Sequence, residues 1–119
     1  MAEQQLIGAL EAGGTKMVCA TGYADGTVLE REQIATTTPQ ETVEAVNAWF
    51  ADKGIDALGI GAFGPTAVNP ASSQYGKILE TPKTAWRYFD LLGTIQNELN
   101  IPCGYDTDVN VACLGEVTF

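Results

Sequence analysis

No histidine occurs among the 119 residues of this chain, so its own length holds neither a histidine-activated nucleophile nor a histidine-ligated metal. Basic residues are scarce too: 6 lysines and arginines stand against 15 acidic residues, for a net charge of −9. That balance disfavours extended contact with a nucleic-acid backbone, which needs a basic surface. It still admits a mononucleotide, which needs only a local nest of N–H groups and a metal ion. No apolar run approaches the roughly 20 residues that cross a bilayer. The opening Met1-Ala2-Glu3-Gln4-Gln5 lacks the basic and apolar regions of a secretory signal. The expectation is a soluble, cytoplasmic protein with no membrane or nucleic-acid partner. Cys19, Cys103 and Cys113 are odd in number, lack CxxC spacing and lie among apolar neighbours. They fit buried free thiols better than a disulfide framework or a metal site.

What is present is a globular composition, with 45% hydrophobic residues, in a length that suits one compact domain over residues 1–119. The apolar run Leu6-Ile7-Gly8-Ala9-Leu10 reads as a strand that ends in Gly13-Gly14, and Lys16 to Tyr23 reads as its neighbour across a tight glycine turn. Asp25-Gly26 has hairpin-turn chemistry, and a third strand is expected from Val28 to about Thr36. Thr38-Pro39-Gln40-Glu41 then combines a capping threonine, a first-turn proline and a glutamate placed to reach back to the cap. Val43, Val46 and Phe50 continue at helical spacing until Gly54. A fourth strand is expected over Ala57–Phe63, a second helix over Ala85–Asn100, a fifth strand over Ile101–Tyr105 and a third helix over Val109–Phe119. The order βββαβαβα lets strands four and five join the opening hairpin sheet in parallel through right-handed crossovers. This is the plan of an α/β ribonuclease H-like, or actin-like ATPase, lobe: a mixed sheet flanked by helices. Gly64 to Lys83, with three prolines, is the one long irregular stretch, and a loop of that length in a compact domain is usually functional or mobile.

Two short segments carry the chemistry. Glu11-Ala12-Gly13-Gly14-Thr15-Lys16 offers backbone amides, a hydroxyl and an ammonium to an anion, with a carboxylate beside them for a metal ion. An ordinary hairpin with a surface lysine explains the same letters about as well. Asp106-Thr107-Asp108-Val109-Asn110 sets carboxylates at a strand end. Asp108 there is either the cap of the helix beginning at Val109 or a base within reach of an acceptor hydroxyl. Together the two segments suggest phosphoryl transfer to an alcohol. Gly59-Ile60-Gly61-Ala62-Phe63-Gly64 matches the dinucleotide pattern G-x-G-x-x-G by letter only. In that fingerprint the glycines open a helix that holds the pyrophosphate, whereas here they alternate inside a strand. In a strand they permit close approach of another backbone, or of a ligand at the strand's end. The G-x-x-x-x-G-K-[ST] spacing of a Walker loop is absent.

Four segments in order also resemble the N-terminal lobe of ROK-family sugar kinases, above all their bacterial fructokinase branch. They are Glu11-Ala12-Gly13-Gly14-Thr15-Lys16, Gly59 to Pro65, Thr81-Pro82-Lys83-Thr84-Ala85-Trp86, and Thr107 to Glu116. The resemblance implies ATP- and Mg²⁺-dependent phosphorylation of a hexose, fructose foremost, at its 6-hydroxyl. It makes Asp108 the catalytic base and Gly13, Gly14, Thr15 and Lys16 the first phosphate loop. Gly64, Pro65, Thr107 and Asp108 then line the sugar side, and Glu11 holds Mg²⁺ through water. Two positions depart from the family's usual pattern, which has Asp at Glu11 and Asn at Thr107. Glu11 carries its carboxylate one methylene farther out, and Thr107 gives one hydroxyl in place of an amide, which weakens the case for glucose. The resemblance further implies a second lobe, absent from these residues, with the remaining nucleotide and sugar contacts and a zinc cluster. It also implies a homodimer for the complete protein, and an isolated chain that folds without turning over substrate. The alternatives are glucokinase or another ROK hexose kinase, a sugar-responsive ROK regulator, and a non-enzymatic scaffold of the same fold.

Overall fold

The computed structural model describes residues 5–23, 27–62, 66, 69, 71–79 and 84–106. The expected Asp25-Gly26 turn, Cys113 and the third helix from Val109 lie outside them. Five strands are described, β1 (Leu6–Ala12), β2 (Lys16–Tyr23), β3 (Val28–Ala35), β4 (Ala57–Ala62) and β5 (Cys103–Asp106). They form one sheet in the order β3-β2-β1-β4-β5. The pairs β1–β2 and β2–β3 are antiparallel, while β1–β4 and β4–β5 are parallel. That is the expected topology, and it brings the C-terminal ends of β1, β4 and β5 to a single edge.

Alternation along β1 separates the two sheet faces. Leu10 and Ala12 are buried, and a Cβ built on Gly8 would touch Phe50 and Ile55, so the even-numbered side chains of β1 face the helix α1 (Pro39–Ala51). In-register Leu58, Ile60 and Ala62 of β4 share that face, with Met17 and Cys19 of β2. Phe50, Val46 and Val43 of α1 fill the layer between, which is the core of the domain. Burial of these apolar groups supplies the main driving force of folding, at roughly 25 cal/mol per Å² removed from water.

The start of α1 follows the letters of the sequence. Thr38 accepts from the Glu41 amide, its hydroxyl donates to the Glu41 carboxylate, and Pro39 opens the first turn. The helix ends at Ala51, and Gly54 follows at φ +69°, a left-handed conformation that only glycine takes at low cost. The second helix differs from expectation: α2 covers Leu91–Leu99, not Ala85–Asn100. Thr84–Trp86 is a separate 3₁₀ turn and Tyr88 sits at φ +59°, so the helical path is broken before Asp90. Asp90 then caps α2 by accepting from the Gly93 amide at 3.0 Å. Trp86 is fully buried, and its indole N–H donates to the Thr37 carbonyl at 3.0 Å, which ties the 3₁₀ turn to the entrance of α1. Among the described residues no helix is long and apolar enough to cross a membrane.

Candidate active site

The hairpin joining β1 to β2 is compact because its carbonyls are turned inward. Gly13 N–H donates to the Lys16 carbonyl at 3.0 Å. Thr36, just past β3, donates its hydroxyl to the Gly13 carbonyl at 2.8 Å and its amide to the Thr15 carbonyl at 2.9 Å. The Gly13 amide is therefore committed within the turn. Among the described residues the Gly14 and Thr15 amides have no hydrogen-bond partner, and the Thr15 hydroxyl and the Lys16 side chain are exposed, Lys16 without an ion pair. Gly13 contributes shape: a Cβ there would lie 2.7 Å from the Lys16 carbonyl oxygen.

Glu11 lies inside β1, not in the turn, and is exposed on the face away from α1. Its register partner on β4 is Gly61, whose partner on β5 is Asp106. The three residues form one row across the strand ends, with the Glu11 and Asp106 backbones about 10 Å apart by strand spacing. Lys16 precedes buried Met17 on β2, so it shares their face. One ammonium and two carboxylates thus stand at one edge and on one face. The glycines of β4 serve as expected for a strand: Gly59 and Gly61 face this side, and neither places a side chain between its neighbours.

Asp108, Thr107, Gly64 and Pro65 lie outside the described residues. Their nearest described neighbours are Asp106 and Thr66. Thr66 donates its hydroxyl to the Lys77 carbonyl at 2.8 Å and sits 2.5 Å from the Tyr105 hydroxyl. Burial pushes the Tyr105 phenol up to about 12. The segment expected as irregular, Gly64–Lys83, is thereby paired in part, through the bridges Thr66–Ile78 and Lys77–Asp90. Sequence reading missed Thr36, Thr66 and Tyr105 as members of this edge. The only written hint was the threonine run Thr36-Thr37-Thr38 beside the capping motif.

A concavity of about 470 Å³ between α1 and α2 lies on the opposite face of the sheet. Val43, Ala48 and Phe89 line it with Glu44 and Glu98 as its charged groups, so it lacks cationic donors for a phosphate. Cys19 is fully buried, and burial together with the Glu32 charge pushes its thiol up to about 12. It is an inert core thiol, as expected.

The donor set at the strand-end edge suits a nucleotide polyphosphate and a hard divalent cation: amides, a hydroxyl and an ammonium on one hand, carboxylate oxygens on the other. Topology and site together define a ribonuclease H-like lobe of the actin-like ATPase kind, with its polar edge where the parallel strands end. The ROK family pattern matches residues 7–119, and the chain belongs to the ROK family. It is 53% identical over 111 residues to a fructokinase of Pediococcus pentosaceus, a match covering 93% of this chain and 38% of that protein. It is 47% identical over 114 residues to a putative fructokinase of Bacillus subtilis (strain 168), covering 96% of this chain and 38% of that protein. The chain therefore spans a little over a third of the length of these relatives. A ROK family glucokinase from Streptomyces griseus, solved with glucose and AMPPNP, shares the fold, with a TM-score of 0.68 and 24% identity over 87% of this chain and 32% of that one.

Proposed function

We propose that residues 1–119 are the N-terminal lobe of a two-lobed, ATP-dependent hexose kinase whose acceptor is the 6-hydroxyl of fructose. The observation that carries this reading is the identity of 53% and 47% to two proteins named as fructokinases, over more than nine-tenths of the chain. The common edge for Lys16, Glu11 and Asp106 supports it, because one substrate can meet the segments that follow β1 and β5 only if both emerge on the same side.

In this reading the Gly14 and Thr15 amides, the Thr15 hydroxyl and Lys16 hold phosphate oxygens, and Gly13 keeps the bend tight. Glu11 holds Mg²⁺ through water, and the ion when bound neutralises charge on the phosphates. Gly64, Pro65 and Thr107 orient the sugar. Asp108 accepts the proton of the sugar hydroxyl as the new O–P bond forms and the bond between the γ-phosphorus and the β-bridging oxygen breaks, releasing ADP. The remaining contacts, and a zinc cluster, belong to the second lobe. Closure of the two lobes expels water from around the transferring group. A cytoplasmic location and a homodimer complete the reading.

The test is coupled ADP release by the complete two-lobed protein across a panel of hexoses. Turnover highest with fructose is expected, and no release with any hexose would overturn the reading. The isolated chain is expected to fold and to show none. Steady ATP- and fructose-dependent turnover by residues 1–119 alone would contradict the two-lobed assignment.

A further inference from the structure

The groove between α1 and α2 is built on one flank of each helix. Val43, Glu44, Asn47 and Ala48 recur at three- and four-residue spacing along α1, so they lie on one side of it. Glu98 joins them from the last turn of α2, and Phe89, just before that helix, adds an aromatic wall. The space of about 470 Å³ suits a small organic ligand.

Asn47 is the unusual member of this lining. It is 8% exposed, and its Oδ1 is shut off from water with no hydrogen-bond partner among the described residues. A buried carbonyl without a donor destabilises a fold, and an apolar side chain of similar shape would remove that cost. The amide therefore suits a bound donor better than it suits packing. A half-turn exchanges its oxygen and nitrogen without a change of shape, so the acceptor can be turned to the groove.

The remaining groups define the donor. Glu44 and Glu98 are exposed, and none of the residues lining the groove is basic. Two carboxylates repel a phosphate or another carboxylate and attract an ammonium. They also disfavour a second copy of this chain, whose net charge is −9. Val43, Ala48 and Phe89 accept a hydrocarbon body.

We propose that the α1–α2 groove is a binding site for a small apolar amine, whose ammonium donates to Asn47 Oδ1 in the field of Glu44 and Glu98. Its hydrocarbon part covers Val43, Ala48 and Phe89. The site is separate from the strand-end edge and does not depend on the kinase reading.

Titration of the complete two-lobed protein with 2-phenylethylammonium, followed by saturation-transfer NMR, tests this against 3-phenylpropanoate, a carboxylate on a body of similar size. A Kd of about 1 mM or below is expected for the cation, and one at least about tenfold weaker for the anion. Asn47→Leu removes the acceptor and is expected to weaken the cation about tenfold, the scale of one hydrogen bond to a charged group. Glu44→Gln combined with Glu98→Gln is expected to weaken it about fivefold through lost charge. Saturating ATP or fructose should leave the affinity unchanged. No binding of the cation at about 10 mM, or equal binding of cation and anion, would overturn the proposal. Undiminished binding by Asn47→Leu, or displacement by ATP or fructose, would overturn it as well. If Asn47→Leu does not fold, the double glutamine variant decides, and unchanged affinity there overturns the site.

Discussion

Glu11 and Asp106 face the same side of the sheet from β1 and β5, each in register with Gly61 between them. Gly61 adds no side chain, so nothing of β4 itself stands between the two carboxylates.

If Glu11 holds the metal through water, its charge matters more than its shape. Glu11→Gln is expected to raise the Mg²⁺ concentration needed for half-maximal turnover by about tenfold, as for other outer partners of metal ions. KM for the hexose should change little. An unmoved Mg²⁺ titration curve would remove Glu11 from the metal site.

The bend itself depends on glycine at position 13. Gly13→Ala places a methyl group 2.7 Å from the Lys16 carbonyl oxygen, where backbone cannot yield without opening the hairpin. A loss of about 1–3 kcal/mol is expected from urea unfolding of the isolated chain. Loss of the Gly13–Lys16 hydrogen bond should appear as faster exchange of the Gly13 amide. A variant as stable as wild type would show that the turn is not held as described.

Alkaline pH tests the burial of two acids. The Cys19 thiol rises from an ordinary value of 9.0 to about 12, chiefly by burial, and the Tyr105 phenol from 10.0 to about 12 for the same reason. Both stay neutral in the folded chain while the unfolded chain ionises. Their contribution is therefore complete below the unfolded values and is lost as pH climbs from about 9 toward 12. Each group costs about 1.4 kcal/mol per pH unit over its window. Cys19→Ala is expected to move the onset of the decline from about 9 to about 10, read from urea midpoints. A decline with the same onset in the variant would contradict the burial of Cys19.

Much of the sheet was legible because local patterns and the tertiary result agree. The alternation of β2, the Thr38–Glu41 cap and the helix-before-strand order each specify their element without reference to distant residues. The limits of α2 were not legible. Phe89 continues the apolar spacing of Leu92 and Ile95, but Tyr88 turns left-handed and Asp90 bridges to Lys77, a pairing that has no local period. The site was legible as residue types and not as arrangement. Glu11 looked like part of a turn and proved to lie in a strand, because only the β1–β4 register shows it opposite Gly61. The bracing of the Gly13 carbonyl by Thr36 likewise depends on β3 returning to the bend, 23 residues later in the chain.

The central claim is that the segment following β5 carries a base that works on the hydroxyl of a sugar bound beside the Gly13-Gly14 bend. Asp108→Asn keeps the shape of that side chain and removes its basicity, so single-turnover phosphorylation of fructose by the complete two-lobed protein tests the claim most directly. A rate lowered by roughly two to four orders of magnitude, with fructose binding changed far less, is the expected result. Near-normal phosphorylation by the Asp108→Asn variant would contradict it.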